Sequence, residues 1–301
     1  MFGYSSENYL KSLSHAGVIQ RLPDCGGHVL VRDISRSNLS EAVGMYPFFC
    51  CKNWNKLSGD IDQLSGIVSL CLVTDPFGDF ETDSLKACFP DVMYQFKCHY
   101  VVDLRDDLSQ FVSGHHQRNA RKALRSVTVR EVDNSGDFVA TWTSLYENLK
   151  RRHRISGIAE FSETSFELQL RVPGVRVFEA VHGSDRLGAV IWYLDGSRAY
   201  YHLGAWTDQG YEMRASFAVF WESLTRFRDE GILSVGLGAG SGAEERSDGL
   251  TRFKSGWSNR RKPVYFCGRI VDHDSYHQLT STNSRSTNEP FFPAYRSPER
   301  R

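Results

Sequence analysis

The sequence predicts an α/β (α+β) fold in which a mixed, mainly antiparallel sheet is flanked by helices. Short apolar runs alternate with turn residues in the first hundred positions and again after residue 175, which is typical of strands. Other segments show the 3.6-residue apolar period of amphipathic helices. The chain has 301 residues, of which 41% are hydrophobic and 13% aromatic. This length allows one large domain or two medium ones, each with its own core.

In the N-terminal half, the apolar runs predict strands at 28–32, 66–73 and 94–104. The first run follows two glycines, and the second ends at a turn that contains Pro76 and Gly78. Proline cannot donate a hydrogen bond to a strand ladder, and glycine adopts the positive φ that many turns require. We therefore expect this half to be an α/β or α+β unit.

Two helices are predicted in the middle of the chain. In the segment 118–125, Arg118, Arg121 and Lys122 share one face of a helical wheel, and small apolar residues share the opposite face. The basic face is as compatible with a solvated surface as with an anion site. The second helix, at 138–149, ends in the basic run 150–154, which suits the negative end of a helix dipole.

The C-terminal half predicts a three-stranded meander, because two turns rich in glycine and polar residues interrupt its period-two apolar pattern. A polar loop at 208–214 and a helix ending near Gly231 follow, then a strand, a glycine-rich segment and a last strand. The predicted strands lie at 175–181, 187–194, 198–205, 232–237 and 263–272, the helix at 217–230 and the glycine-rich segment at 238–242. The glycine-rich segment lacks the spacing of a nucleotide-binding loop.

The composition excludes several classes of function. The formal net charge is zero, which argues against a protein that coats nucleic acid. The seven cysteines have no C-x-x-C spacing, so we expect buried reduced thiols and no metal site. Alternatives are a metal site at Cys98 and His99, or a nucleophilic Cys50 or Cys51. No apolar run reaches about 20 residues and no secretion signal is visible, which predicts a cytoplasmic protein without membrane insertion.

The order strand, strand, strand, loop, helix, strand resembles the GNAT-like acyltransferase superfamily. More narrowly, HHQRNARKALR at 115–125 and GLTRFKSGW at 249–257 resemble its FemAB-type and BioF2-like members. The resemblance implies a C-terminal GNAT-like domain at 113–275 and an N-terminal α/β region at 1–112. That region is expected to be a degenerate GNAT-like unit, so that two units stand in tandem. Residues 276–301 are polar and are expected to form a flexible tail.

The loop before the predicted helix at 217–230 is a candidate donor site. Unpaired amides and the positive dipole at a helix start bind phosphates well, and Gly210 allows close backbone approach while Arg214 offers a guanidinium. In GNAT enzymes this loop holds the pyrophosphate of coenzyme A, which makes acetyl-CoA or another acyl-CoA the expected co-substrate. The loop departs from the Q/R-x-x-G-x-G/A pattern of that family. The cofactor-binding candidates are Gln209, Gly210, Tyr211, Met213, Arg214, Ala215, Ser216 and Phe253.

The candidate catalytic residue with the most specific resemblance is Lys254. FemAB-type enzymes carry a Phe-Lys pair thought to meet the acyl donor, and Phe253 and Lys254 match it. A lysine near the reacting carbonyl would stabilise an oxyanion. His202 and Glu212 are candidate bases, although a buried histidine is more often structural. Tyr200, Tyr201 and Tyr211 are candidate acids, and Arg118, Arg121 and Lys122 are candidate substrate or anion ligands.

Three functions follow from the resemblance. The first is an acyl-CoA-dependent N-acyltransferase that acts on an amine of a small molecule, such as a sugar or amino-acid precursor. The second is a FemAB-type transferase that uses aminoacyl-tRNA, with the basic helix on the RNA backbone. The third is a non-catalytic module that binds an acyl group or nucleotide. All three use the same fold.

Overall fold

The computed structural model describes residues 3–240, 248–282 and 291–296. Within these, the chain forms two compact units. Unit 1 is built from residues 3–12, 98–240 and 248–262, and unit 2 from residues 13–97, 263–282 and 291–296. The compact units therefore do not end at the predicted boundaries 112 and 275. The chain changes unit within two strands, Val92–Asp103 and Arg260–Ile270, where no change of composition marks a boundary.

Unit 1 carries the longer helices. Its strands are β5 (Val92–Asp103, shared with unit 2), β6 (Thr128–Glu131), β7 (Val175–His182), β8 (Asp185–Asp195), β9 (Arg198–Trp206) and β10 (Ser234–Gly238). Its helices are α1 (Glu7–Ser12), α4 (Leu108–Phe111), α5 (Gly114–Ala123), α6 (Val139–His153), α7 (Glu163–Gln169), α8 (Asp208–Glu212), α9 (Ala215–Asp229) and α10 (Gly249–Trp257).

The sheet of unit 1 has the strand order β5-β10-β9-β8-β7-β6. Its neighbours are antiparallel except β9 and β10, which are parallel. A parallel pair needs a crossover connection, and the segment containing α8 and α9 supplies it. The predicted mixed, mainly antiparallel sheet is therefore confirmed.

Side chains alternate between the two faces of this sheet. On one face, Trp192 and Tyr201 contact Phe220 of α9, with ring centroids 5.3 Å apart in both pairs. On the other face, Tyr193 stacks on His202 at 4.6 Å, and α1, α6 and α7 pack there. We call the first the α9 face and the second the α6 face.

The strands of unit 2 lie side by side in the order β1-β2-β3-β4-β11 and are mostly antiparallel. Among them β3 and β4 are parallel, and the other neighbours are antiparallel. Its strands are β1 (Val18–Leu22), β2 (Gly27–Asp33), β3 (Ser40–Gly44), β4 (Ile67–Val73) and β11 (Arg260–Ile270, shared with unit 1). Its helices are α2 (Leu57–Asp62), α3 (Thr82–Cys88) and α11 (His273–Thr282).

The two units repeat one topology that no internal sequence repeat reveals. In each, an antiparallel meander of three strands is followed by a helical crossover and a strand parallel to the last strand of the meander. The crossover contains the 15-residue α9 in unit 1 and the six-residue α2 in unit 2. This repetition supports the prediction of tandem units, of which unit 2 has the shorter crossover.

Most long predicted elements are present, and two segments differ from expectation. The predicted loop at 208–214 contains the helix α8, because Thr207 caps a helical turn by accepting from the Gly210 amide. Part of the expected flexible tail is ordered, since α11 lies at 273–282 and both Tyr276 and Tyr295 are buried at 9% exposure. Their rings contact each other at 5.5 Å. These aromatic residues hold the segment in unit 2.

The described part of the chain has no helix that is both long and apolar enough to cross a membrane. The seven cysteines are all free thiols. Cys25, Cys88 and Cys267 are buried in the core of unit 2, and the other four are half-buried.

Candidate active site

The strands β9 and β10 separate where their hydrogen-bonded pairing ends. They pair at three positions, from Ser234 and Arg198 to Gly236 and Tyr200. Beyond the last pair, β9 continues to Trp206 and β10 to Gly238. Past Gly236 and Tyr200 the two strands no longer pair, and we call the region between their ends, within unit 1, the slot.

Lys254 of α10 lies at this slot and is 7% exposed. Its Nζ donates to the Ala239 carbonyl at 2.7 Å and lies 5.5 Å from the ring centroid of Tyr201. Tyr201 is the first residue of β9 past the pairing. Gly238 has a φ of 76°, and a Cβ there would lie 3.1 Å from the Lys254 Nζ. A buried ammonium thus lies beside Tyr201 of β9 and Ala239, the residue that follows β10, on the α9 face.

The helix α10 is fixed by residues at both of its ends. At its start, the Asp248 carboxylate accepts from the Thr251 amide at 2.6 Å, which is a typical N-cap. Near its end, the Gly256 carbonyl accepts from the Ser113 amide at 2.9 Å. Lys254 therefore sits on a helix anchored on either side of it. Of the predicted glycine-rich segment 238–242, Ser241 and Gly242 lie outside the described residues.

His116 joins the two segments that resemble the FemAB-type family. Its Nε2 donates to the Phe253 carbonyl at 2.9 Å, and its Nδ1 accepts from the Ser113 hydroxyl at 2.8 Å. A carbonyl can only accept, so the proton is assigned to Nε2. Burial lowers the pKa of His116, which favours this neutral form. Sequence reasoning missed His116 and Ser113 as positioning residues, since their partners lie more than a hundred positions away.

Phe253 packs inside unit 1. Its ring lies 4.8 Å from that of Phe220 and 5.2 Å from that of Phe217, both on α9. These contacts hold α10 against α9 and thereby place the neighbouring Lys254. Contact between Phe253 and an acyl donor stays a prediction.

The start of α9 differs from the expected glycine loop. A Cβ on Gly210 would lie 2.2 Å from the Leu187 carbonyl oxygen, so the absence of a side chain is required by packing within the protein itself. This glycine allows α8 to pack on β8. The bend into α9 occurs instead at Arg214, which has a left-handed φ of 59°. The first amides of α9, on Ala215 and Ser216, have no partner within the helix.

The other donor-site candidates lie apart. Gln209 and Glu212 are exposed on α8, whereas Met213 packs on the core of unit 1. Tyr211 is 36% exposed, with the Arg152 guanidinium 4.2 Å from its ring centroid. Of the eight predicted cofactor-binding residues, Arg214, Ala215 and Ser216 are thus the ones at the start of α9.

The structure does not bring His202 together with Lys254. His202 faces the α6 face, where its ring nitrogens contact the Tyr4 hydroxyl at 3.3 Å and the Gln169 Oε1 at 3.1 Å. Burial lowers its pKa to about 3. Tyr201, by contrast, lies beside Lys254, and burial raises the pKa of its hydroxyl. The packing role that sequence reasoning allowed for His202 fits this location better than a base does.

Arg118, Arg121 and Lys122 form an exposed basic face on α5. No carboxylate in the described part of the chain forms an ion pair with any of the three. Arg121 donates to the Gln117 carbonyl of its own helix at 3.3 Å. Their charges are therefore available to an anionic ligand, whereas α5 itself is held to α9 and α10 by its opposite side.

With this geometry in place, comparison with known proteins identifies the domain. The family model described as an acetyltransferase (GNAT) domain matches residues 114–255. Residues 114–255 are a GNAT-type acetyltransferase domain. The match includes 115–125 and all but the last two residues of 249–257, the two segments whose resemblance suggested this family, and it supports an acyltransferase. A search of curated proteins found no match.

Solved structures with the same fold cover both units. FemX matches with 11% identity and a TM-score of 0.66 over 91% of this chain and 94% of its own. The C-terminal domain of a putative lysylphosphatidylglycerol synthetase from Agrobacterium fabrum matches with 13% identity and a TM-score of 0.64, over 89% and 88% of the two chains. L-PGS from Bacillus licheniformis matches with 11% identity and a TM-score of 0.64, over 88% and 87%. At these identities the similarity establishes the fold.

Proposed function

We propose that this protein is an N-acyltransferase that moves an acyl group from acyl-CoA to an amine by direct attack. The observation that carries the proposal is the placement of Lys254 in the slot between β9 and β10. A cation held there, on the face that carries α9, suits a thioester carbonyl whose carrier binds at the start of α9. The match of residues 114–255 to an acetyltransferase domain supports the same donor.

In this mechanism the amine nitrogen forms a bond to the thioester carbon, and the carbon–sulfur bond then breaks. The Lys254 ammonium stabilises the oxyanion of the tetrahedral intermediate, with its position set by the Ala239 carbonyl. A water chain removes the proton of the amine. Tyr201 keeps its proton because burial raises its pKa, so its hydroxyl donates a hydrogen bond to the departing thiolate, which takes its proton from solvent. Arg214 and the amides of Ala215 and Ser216 hold the pyrophosphate.

The role of Lys254 is tested by Lys254→Met. We expect kcat to fall by about 10²- to 10³-fold, the usual effect of removing an oxyanion donor, with the Kd for acetyl-CoA nearly unchanged. Arg252→Gln is the matched control, since this exposed cation lies two residues away on the same helix and should leave kcat unaltered. Turnover that survives Lys254→Met at the wild-type rate would contradict the mechanism.

The donor is tested by following thermal stability while acetyl-CoA and longer acyl-CoAs are added. A ligand that binds the native state stabilises it by about 2.7 kcal/mol at a hundred times its Kd, so a true donor raises the Tm. If no coenzyme A species raises the Tm, the acyl-CoA proposal is wrong. A rise in Tm without turnover on any amine would favour the third function, a binding module.

The exposed basic face of α5 favours a second candidate, an aminoacyl-tRNA-dependent transferase. The fold similarity to FemX points the same way, because the FemAB-type enzymes that the sequence resembles take their acyl group from charged tRNA. In that case the triple substitution of Arg118, Arg121 and Lys122 by Gln should weaken tRNA binding. The slope of log affinity against log salt should also become shallower by roughly two units. Equal salt dependence in wild type and variant would exclude α5 as an RNA contact.

A further inference from the structure

The helix α5 has two flanks that meet different neighbours within unit 1. His115, Asn119 and Lys122 recur at helical spacing and share one flank. The ring of His115 lies 6.0 Å from that of Phe217, which is the third residue of α9. We call His115, Asn119 and Lys122 the α5 row. The row therefore begins beside the helix start at which the pyrophosphate of the donor is proposed to bind.

The opposite flank of α5 faces α4. The Gln117 side-chain amide donates to the Ser109 and Val112 carbonyls, at 2.9 and 2.8 Å. Arg121 lies on this flank and donates to the Gln117 carbonyl at 3.3 Å. Two of the cations that the sequence groups on one basic face are thus divided in the fold, because Lys122 belongs to the α9 side and Arg121 to the α4 side.

The ring of His115 is oriented so that one N–H donor is left over. The Asn119 Nδ2 lies 2.9 Å from the His115 Nε2 and also donates to the His115 carbonyl at 3.0 Å. A side-chain amide nitrogen can only donate, so Nε2 accepts and the proton of the neutral ring is assigned to Nδ1. Among the described residues this Nδ1–H has no acceptor, and the side chain is exposed. Asn119 thereby positions a hydrogen-bond donor for a ligand.

Lys122 is the charged member of the row. It is exposed, and no carboxylate in the described part of the chain forms an ion pair with it. Arg152, a cation beside α8, already pairs with Asp208 at 3.3 Å and lies over the Tyr211 ring at 4.2 Å. An incoming phosphate therefore meets Lys122 without competition from a carboxylate. An ammonium and an N–H donor on one flank can form charge-assisted hydrogen bonds to the same anion.

The donor of the proposed reaction carries a further anion close to its pyrophosphate. In coenzyme A the pyrophosphate is followed by a ribose that bears its own 3′-phosphate. When Arg214 and the first amides of α9 hold the pyrophosphate, this phosphate falls on an element packed against that helix start. The axes of packed helices lie about 8 to 10 Å apart, which a ribose phosphate and the Lys122 side chain can bridge together. The helix α5 is such an element.

We propose that the α5 row binds the 3′-phosphate of the donor nucleotide, with Lys122 as the cation and His115 as the hydrogen-bond donor. This inference rests on the proposed acyl-CoA-dependent function. It makes the row the feature that distinguishes acyl-CoA from the same thioester without a 3′-phosphate. Asn119 is a positioning residue, because it acts through the ring of His115.

The row is tested by isothermal titration calorimetry with acetyl-CoA and acetyl-dephospho-CoA. We expect wild type to bind acetyl-CoA roughly tenfold or more tightly than the dephospho form, the usual effect of a charge-assisted hydrogen bond. In the double variant His115→Ala/Lys122→Gln the ratio of the two Kd values should fall to about 1, through weaker binding of acetyl-CoA alone. Arg121→Gln is the matched control, since it removes one cation from the other flank of the same helix and should preserve the ratio.

The possible failures are distinguishable. Equal Kd values for the two thioesters in wild type would overturn the row and leave the acyl-CoA donor intact. A ratio that falls as far in Arg121→Gln as in the double variant would also overturn it, because the effect would then reflect only the net charge of α5. If no coenzyme A species binds, the donor proposal fails, and adenosine 3′,5′-bisphosphate becomes the probe. Binding of this probe that is lost in the double variant supports the row as a phosphate site, and no binding to wild type overturns it.

Discussion

His202 is buried at 8% exposure and makes two polar contacts, and its protonation is therefore coupled to folding. Tyr4 and Gln169 occupy its two ring nitrogens, and Tyr9 and Tyr193 lie against its ring. An imidazole enclosed in this way stays neutral, because a buried charge loses its hydration. The depressed pKa reflects that cost.

A pH dependence of stability follows from this pKa. The pKa of His202 falls from 6.5 to about 3 on folding, so the unfolded chain binds the proton more readily. The contribution of neutral His202 is complete above pH 6.5 and is lost as the pH falls toward 3, by at most about 1.4 kcal/mol per pH unit. His202→Asn should flatten the fall in unfolding free energy between pH 6.5 and 5, measured by urea denaturation. The same slope in both proteins would contradict this account.

At the residue scale, sequence resemblance located Lys254 but could not locate its partners. Lys254 contacts Tyr201 and donates to the Ala239 carbonyl where the pairing of β9 and β10 has ended. The spacing of residues in the sequence does not show where that pairing ends. For Gly210 the residue type was informative, but the sequence could not show that its missing Cβ makes room for the Leu187 carbonyl.

The helices α5 and α10 meet at Gly256. The backbone of α10 can approach α5 closely there, because a Cβ on Gly256 would lie 2.1 to 2.4 Å from the ring atoms of His116. The His116 ring cannot move aside without losing its bonds to Ser113 and Phe253. This contact determines how near Lys254 comes to the slot.

Gly256→Ala tests this contact between helices. Alanine favours a helix by up to about 1 kcal/mol over glycine, but the clash with His116 should cost about 1 to 3 kcal/mol, so we expect net destabilisation and reduced turnover. Gly249→Ala is the control on the same helix, because its Cβ would meet nothing within 4 Å. The unfolding free energies of the Gly256→Ala and Gly249→Ala variants are measured by urea denaturation and compared with that of wild type. A stabilised Gly256→Ala would show that the helices can separate without loss.

At the element scale, periodicity predicted the helices that bury a continuous apolar stripe. α6 and α9 each run for 15 residues and follow the expected apolar spacing. The helix α8 was not predicted, because its five residues are too few to show an apolar period. It depends on the cap at Thr207. The segment 249–257 was recognised only by resemblance, although Leu250, Phe253 and Trp257 have helical spacing after the N-cap Asp248.

The first residues of the chain fold into unit 1 although the next 85 belong to unit 2. Tyr9 is completely buried and Tyr4 is 5% exposed, and both pack on the face of the sheet that carries His202. No composition signal in the first 12 residues predicts this, because the partners lie far along the chain. The sequence predicted two tandem units. It did not predict that residues 3–12 belong to unit 1 while residues 13–97 belong to unit 2.

Tyr9→Ala should destabilise unit 1 by about 3 to 5 kcal/mol, the usual cost of deleting a large buried aromatic side chain. Leu233→Ala is the control within the same unit, since Leu233 is 46% exposed and its loss should change stability by less than about 1 kcal/mol. Urea unfolding followed by near-ultraviolet circular dichroism measures both. A small effect of Tyr9→Ala would mean that the N-terminal segment is not needed for unit 1.

The bond between Tyr4 and His202 joins residues 198 positions apart, which constrains how the protein is made. At a synthesis rate of about 5 to 20 residues per second, Tyr4 and Tyr9 wait roughly 10 to 40 s for their partners to leave the ribosome. During that time an aromatic, half-apolar segment is available to chaperones or to neighbouring chains. The N-terminal segment can enter unit 1 only after β9 has been synthesised, so completion of the acyltransferase domain is a late event in translation.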